Sequence, residues 1–138
     1  MDGNNRWSKI NKVNLNKSYK KGAEKLFKMV DRCFFYHNIK YVSAFALSSH
    51  NLSRPKKAIS PILKLLDSYL EEFLSNTSKY KYNIRFIGNF DIFKKETIGK
   101  LNIINNQNNH SKTLIIALNY SCLLYTSDAA DDSLRVDL

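Results

Sequence analysis

Cysteine is nearly absent from this 138-residue chain. Cys33 and Cys122 are too few for a disulfide framework, and Cys33, inside an apolar run, reads as a packing residue of a reducing compartment. No apolar run approaches the ~20 residues of a membrane-spanning helix, and no secretory leader is recognisable, so a cytoplasmic location is the default expectation. Histidine is scarce too, and neither His37 nor His110 stands at metal-ligand spacing from another histidine or a cysteine. Both read as surface residues. Acidic residues are outnumbered by basic ones, 12 to 22, which leaves a formal net charge of +10. That excess points to an anionic partner: nucleic acid, acidic lipid headgroups or a polyphosphate. Because the basic residues are dispersed and no groove-reading motif is present, no nucleic-acid partner is expected. AT-rich coding, which inflates lysine and asparagine, accounts for the charge more simply.

What is present suits one domain with a real core, 43% of residues being hydrophobic against 25% charged. Residues 8–17 are polar and read as a loop, with Asn16 or Ser18 available to cap a helix over about Tyr19 to Tyr36. Ala23, Leu26, Phe27, Val30 and Phe34 fall at helical spacing and give that helix one buried face. His37-Asn38 breaks it. Ile39 to Leu47 is β-rich and almost wholly apolar past Lys40, the pattern of a strand buried on both faces. Near Pro55 a second helix begins, roughly Lys57 to Leu74, with a wide apolar stripe at Ile59, Ile62, Leu63, Leu66, Leu70 and Phe73. Ile84–Ile87 reads as a short buried strand, Phe90–Leu101 as a weaker helix, Asn102 to Lys112 as a mobile Asn-rich loop, and Thr113–Leu118 as a last strand. Alternation of helix and strand argues for an α/β domain with a largely parallel sheet flanked by helices. Such sheets bind ligands outside the carboxyl ends of their strands, where Ser48 to Arg54 would lie.

The richest stretch chemically is Met1-Asp2-Gly3-Asn4-Asn5-Arg6-Trp7. Asp2 offers oxygen to a hard cation such as Mg²⁺, which binds through one or two carboxylates plus substrate phosphates. Gly3 lets backbone approach a bulky anion, and Arg6 brings a planar fork for phosphate oxygens. Without further context the same residues make a turn, a solvated arginine and a core tryptophan. The stretch resembles the Met-Asp-Gly-Asn-x-Arg-Trp signature of the cis-prenyltransferases, the family of undecaprenyl diphosphate synthase and isoprenyl transferase. Tyr19-Lys20-Lys21-Gly22-Ala23 is similar to its His-Lys-x-Gly-Ala, and Ser48-Ser49-His50-Asn51-Leu52-Ser53-Arg54-Pro55 to its Phe-Ser-x-Glu-Asn-Trp-x-Arg-Pro. Two later strands, Ile84–Gly88 and Leu114–Tyr120, follow in family order. The resemblance covers residues 1–120.

The resemblance implies an undecaprenyl diphosphate synthase-like α/β fold and a Mg²⁺-dependent cis condensation of isopentenyl diphosphate with an allylic diphosphate such as farnesyl diphosphate. It implies Asp2 as metal ligand and catalytic residue, and Asn51 at the position assigned to proton removal, where an amide orients better than it accepts a proton. Gly3, Asn4, Asn5, Arg6, Trp7, Leu15, Tyr19, Ser48, Ser49, His50, Leu52 and Arg54 would line the substrate site. The second helix would line a tunnel for the growing prenyl chain. A homodimer is implied at full length, with peripheral membrane contact through the lipid product. Leu15 replaces the family's Arg, Tyr19 its His, His50 its Glu and Leu52 its Trp. These departures leave a non-catalytic partner subunit as an alternative, and a basic nucleic-acid-binding domain is the other. No Asp-Asp-x-x-Asp motif points to the trans-prenyl synthases.

At Ser121 the composition changes: residues 1–120 hold 16 Asn and 17 Lys, and residues 121–138 hold neither. The expected division is therefore 1–120, the amino-terminal part of a cis-prenyltransferase domain, and 121–138, a foreign tail. The chain is accordingly expected to carry an incomplete sheet and to be inactive by itself.

Overall fold

In the computed structural model, which describes residues 3–48 and 56–120, the chain starts helical sooner than its polar composition suggests. A short helix, α1 (Asn4–Ile10), precedes α2 (Leu15–Asp31). Asn14, rather than Asn16 or Ser18, caps α2: its side-chain oxygen accepts the Lys17 N–H at 2.8 Å. A cap of this kind is worth about 1 kcal/mol. Helix α2 runs without a break into a π-helical turn, Arg32–Tyr36, and stops at Asn38, whose φ of 51° is left-handed. The anticipated face is present: Ala23, Val30 and Phe34 are buried, with Leu26 and Phe27 partly so.

Strand β1 (Tyr41–Ser48) leads to α3 (Lys56–Ser75), β2 (Asn83–Gly88), α4 (Lys95–Asn105) and β3 (Thr113–Tyr120). The three strands form one parallel sheet in the order β1-β3-β2. Its core face carries Ala44, Leu47, Ile84, Phe86, Leu114, Ile116 and Leu118, which share one cluster with Val30, Phe34, Leu70, Phe73, Leu101 and Ile104 of the helical segments. Because α2, α3 and α4 feed a single cluster, β1 is not buried on both faces as its apolar run suggests. Its burial alternates, and Tyr41 stays 67% exposed. A register shift around Leu47 turns that side chain fully inward just before Ser48.

The third helix matches expectation almost to the residue, with Pro61 accommodated inside it. The fourth does not. Asn89 accepts the Asp91 N–H, Phe93 bonds back to Phe90, and this turn delays α4 to Lys95. The helix then extends to Asn105, whose side chain accepts the Phe86 N–H at 2.7 Å and donates to the Phe86 carbonyl at 2.9 Å.

The Asn-rich connection after it is fastened rather than mobile. Buried Asn83 accepts from the N–H groups of Asn109 and His110 at 2.9 and 3.0 Å, and donates to the His110 carbonyl at 2.6 Å. Asn83→Ala would strip all three groups of their partner; Asn109 and His110 are exposed, so water can take its place, and the loss is the net worth of three hydrogen bonds, about 0.5–1.5 kcal/mol each. We expect a loss of about 2–4 kcal/mol in urea titrations, with faster amide exchange at Asn109 and His110 if the assignment is right. Residues 121–138, expected to be a foreign tail, lie outside the described residues.

Candidate functional site

A helix as short as α1 is marginal alone and has to be held from outside. Gly3 precedes it at φ +81°, a left-handed conformation that glycine adopts without cost, and its carbonyl accepts the Trp7 N–H at 2.9 Å. Nothing lies within 4 Å of where a Gly3 side chain would begin, so backbone conformation, not crowding, is what glycine supplies there. Two contacts then seat α1 on α2. The Ser18 hydroxyl, 2% exposed, donates to the Asn4 carbonyl at 2.7 Å. The Asn4 side chain lies over Gly22 so closely that a Cβ there would stand 2.6 Å from its Oδ1. The Met1–Trp7 signature thus rests on the stretch similar to His-Lys-x-Gly-Ala, through Ser18 just before it and Gly22 within it.

This seating divides the candidate side chains. Asn4 is turned to α2, whereas Asn5 and Arg6 are exposed. Arg6 has no ion-pair or hydrogen-bond partner among the described residues. Trp7 lies partly covered, with the Lys21 ammonium 5.2 Å above its ring. Leu15 opens α2 and Tyr19 follows in its second turn, both half-buried. Ser48 belongs to another element: it ends β1, in register with Tyr120 at the carboxyl end of β3. Gly88 closes β2 at that same end, and Asn119, at φ 47°, donates to the Asn89 carbonyl at 3.0 Å. Asp2, Ser49, His50, Asn51, Leu52 and Arg54 lie outside the described residues. Among those described, no cluster of three His, Cys, Asp or Glu side chains is placed to hold a metal. No helix there is long and apolar enough to cross a membrane.

The largest displaced pKa values belong to a different region, the junction of α3 with β2. Burial, and then the Glu72 carboxylate, push the Tyr80 phenol above the usual tyrosine range; burial and then the charge of Asp31 do the same to Tyr82. A hydrogen bond from Lys79 holds Glu72 below the usual carboxylate range. These groups support the amino end of β2 and bring no reactive group to its carboxyl end. A nearby cavity of about 30 Å³, lined in part by Tyr82, Asn83 and His110, has room for about one water. For the two phenols the folded pKa is raised, so their contribution is complete below pH 10 and is lost as pH climbs towards the folded values. Urea midpoints should fall above pH 10, less steeply in Tyr82→Phe. At neutral pH that substitution should change stability little, because the buried Tyr82 hydroxyl makes no well-formed hydrogen bond and only the Asp31 carboxylate lies near enough to draw on it. A marked neutral-pH loss would contradict this assignment.

The family model "Putative undecaprenyl diphosphate synthase" matches residues 1–134. The chain is 30% identical over 132 residues to the ditrans,polycis-undecaprenyl-diphosphate synthase ((2E,6E)-farnesyl-diphosphate specific) of Acinetobacter baylyi, covering 94% of this chain and 53% of that protein. It is 31% identical to the isoprenyl transferase of Helicobacter pylori, over 87% of this chain and 52% of the relative. Among solved structures, lavandulyl diphosphate synthase from Lavandula x intermedia, in complex with dimethylallyl diphosphate, superposes with a TM-score of 0.79 at 18% identity. That match covers 96% of this chain and 58% of the other. A probable undecaprenyl diphosphate synthase from Campylobacter jejuni gives 0.65 at 24% identity, over 85% and 60%. The chain spans about half the length of the curated relatives it matches.

Proposed function

The chain belongs to the undecaprenyl diphosphate synthase family of prenyltransferases, and on that premise we propose that, at the length of its relatives, the protein condenses isopentenyl diphosphate with an allylic diphosphate into a cis-polyprenyl diphosphate. The observation that carries this reading is the seating of α1. Ser18 and Gly22 fix its backbone through Asn4, and Arg6 is left exposed and unpartnered among the described residues, just after a left-handed glycine. That is how a chain presents a guanidinium and backbone to a diphosphate without the ligand having to order them first.

In this reading Gly3, Asn5 and Arg6 bind the allylic diphosphate, Asn4 holds the segment in place, and Trp7 with Lys21 closes one side. The reading requires Asp2, residues 48–54 and the start of α2 to face one cleft with Arg6. Ser48, Ser49 and Arg54 complete the substrate wall, and Asn51 orients the reacting groups. The allylic carbon–oxygen bond breaks as diphosphate departs, the homoallylic double bond of isopentenyl diphosphate attacks the allylic carbon, and a proton is lost from the new chain. Arg6 and the backbone N–H groups act where charge builds on the departing oxygens.

The donor chemistry suits a Mg²⁺ ion: Asp2, which precedes the left-handed Gly3 in the chain, brings one carboxylate, and a hard cation needs little more from protein when phosphates supply the remaining oxygens. When bound, the ion would neutralise charge on the leaving diphosphate. Homodimerisation at full length belongs to the same proposal. The test is incorporation of labelled isopentenyl diphosphate with farnesyl diphosphate, with and without chelator, in a protein of the relatives' length carrying these residues. Absence of chain elongation across allylic substrates of several lengths would defeat the reading.

A further inference from the structure

One face of α2, continued by Arg32 at the start of the π-helical turn, carries cations only. Lys17, Lys21, Lys25, Lys28 and Arg32 follow one another at i, i+4, i+8, i+11 and i+15, which on an α-helix confines them to an arc of about 80° over a length of about 22 Å. All five are exposed, and the ion pairs among the described residues engage Lys79 and Lys100 instead. Glu24 and Asp31 border the stripe on one side, with Lys20, without forming an ion pair to it. Like charges at i, i+4 oppose a helix by a few tenths of a kcal/mol per pair, so an external polyanion laid along the stripe would relieve them. A diphosphate is far too short to span it.

What surrounds the stripe narrows the partner. Met29, 53% exposed, flanks it on the other side; Phe35 and Tyr36, 53% and 77% exposed, follow its carboxyl end. Trp7 lies beneath Lys21, and Arg32 stacks at 5.6 Å on the Tyr36 ring. Cationic side chains interleaved with tryptophan, tyrosine and methionine suit the boundary between headgroups and acyl chains, where aromatic rings sit at headgroup depth and ammonium groups reach anionic lipid. Phosphates along a nucleic acid would meet the cations but leave Met29 without a role. We propose that this face of α2 docks on a membrane surface carrying anionic lipid headgroups. The inference does not require the prenyl-transfer reading, although Trp7 and Lys21 figure in both, and its test uses no prenyl substrate.

The experiment is co-sedimentation of the full chain with phosphatidylcholine vesicles, with and without phosphatidylglycerol. Binding is expected only with the anionic lipid, to weaken as salt is raised, and to shift the emission of Trp7, the single tryptophan, to shorter wavelength. Each lysine near such a surface contributes about five-fold in partition, so Lys25→Gln/Lys28→Gln should bind about twenty-fold less at unchanged helix content. Lys25→Arg/Lys28→Arg should keep the affinity. Equal partition onto both vesicle types, or undiminished binding by the glutamine pair, would overturn the proposal. So would an oligonucleotide that binds in a Lys25- and Lys28-dependent way when the anionic vesicles do not.

Discussion

Gly88→Ala is expected to unfold the chain, or to leave it so weakened that the urea midpoint falls close to zero. The reason is local and severe. Gly88 ends β2 at φ +126°, a region that side chains rarely enter, and a Cβ built there would stand 1.7 Å from the Leu118 carbonyl oxygen. The obstacle is backbone in the adjacent strand of a parallel pair, not the tip of a flexible side chain, so relief requires β2 and β3 to separate where Gly88 opposes Leu118. Leu118 is itself buried in the core. Backbone strain of this kind costs about 1–3 kcal/mol by itself, and overpacking adds about as much again. A combined loss of about 4 kcal/mol is a large part of what a domain this size possesses. Circular dichroism against urea is the measurement. An alanine variant with a midpoint near that of the parent would mean that the strand ends are not joined as described.

The second large effect concerns chemistry. In a protein of the relatives' length, Asp2→Ala is expected to abolish Mg²⁺-dependent prenyl transfer while leaving binding of the allylic diphosphate largely intact. Arg6→Ala should weaken that binding as well, because in the proposed site its contact with the diphosphate would form before any bond breaks. Only interactions stronger in the transition state than in the ground state act on the chemical step, and a carboxylate that places a cation is of that kind. One such electrostatic contact is worth roughly 2–4 kcal/mol, or about 10²–10³ in turnover. Labelled isopentenyl diphosphate incorporation measures the first effect, and equilibrium binding of a non-reactive allylic analogue the second. Near-normal turnover by Asp2→Ala would remove Asp2 from the catalytic assignment. Equal loss of binding in both variants would mean that Asp2 acts as a structural residue.

How much of this was legible beforehand follows the range of the interactions involved. The buried face of α2 could be read from Ala23, Leu26, Phe27, Val30 and Phe34 because helical periodicity is local. The start of the same helix could not. Asn14, Asn16 and Ser18 are comparable caps, and the choice falls to Asn14 because α1 occupies the preceding residues and the Val13 N–H is already engaged by the Ser8 carbonyl. For the candidate site, the two signatures were visible as strings. Their contact was not, since Ser18 and Gly22 look ordinary until Asn4 is laid across them. The connection after α4 departs from expectation because asparagine is normally solvated in loops, and nothing nearby in the chain reveals that Asn83 gathers it. The apolar run of β1 overstates its burial, since α2, α3 and α4 pack into one cluster with one face of the sheet.

Asn105 has a bearing on assembly. Its amide meets the Phe86 N–H and carbonyl much as a neighbouring strand would, so one side chain from a helix occupies the outward rungs of β2. A strand arriving there, from a longer chain or from a second molecule, would have to evict it and forgo two hydrogen bonds, each worth about 0.5–1.5 kcal/mol net, before gaining any of its own. The amide is therefore a kinetic doorstop against templated strand addition, the route by which open sheet edges seed aggregates.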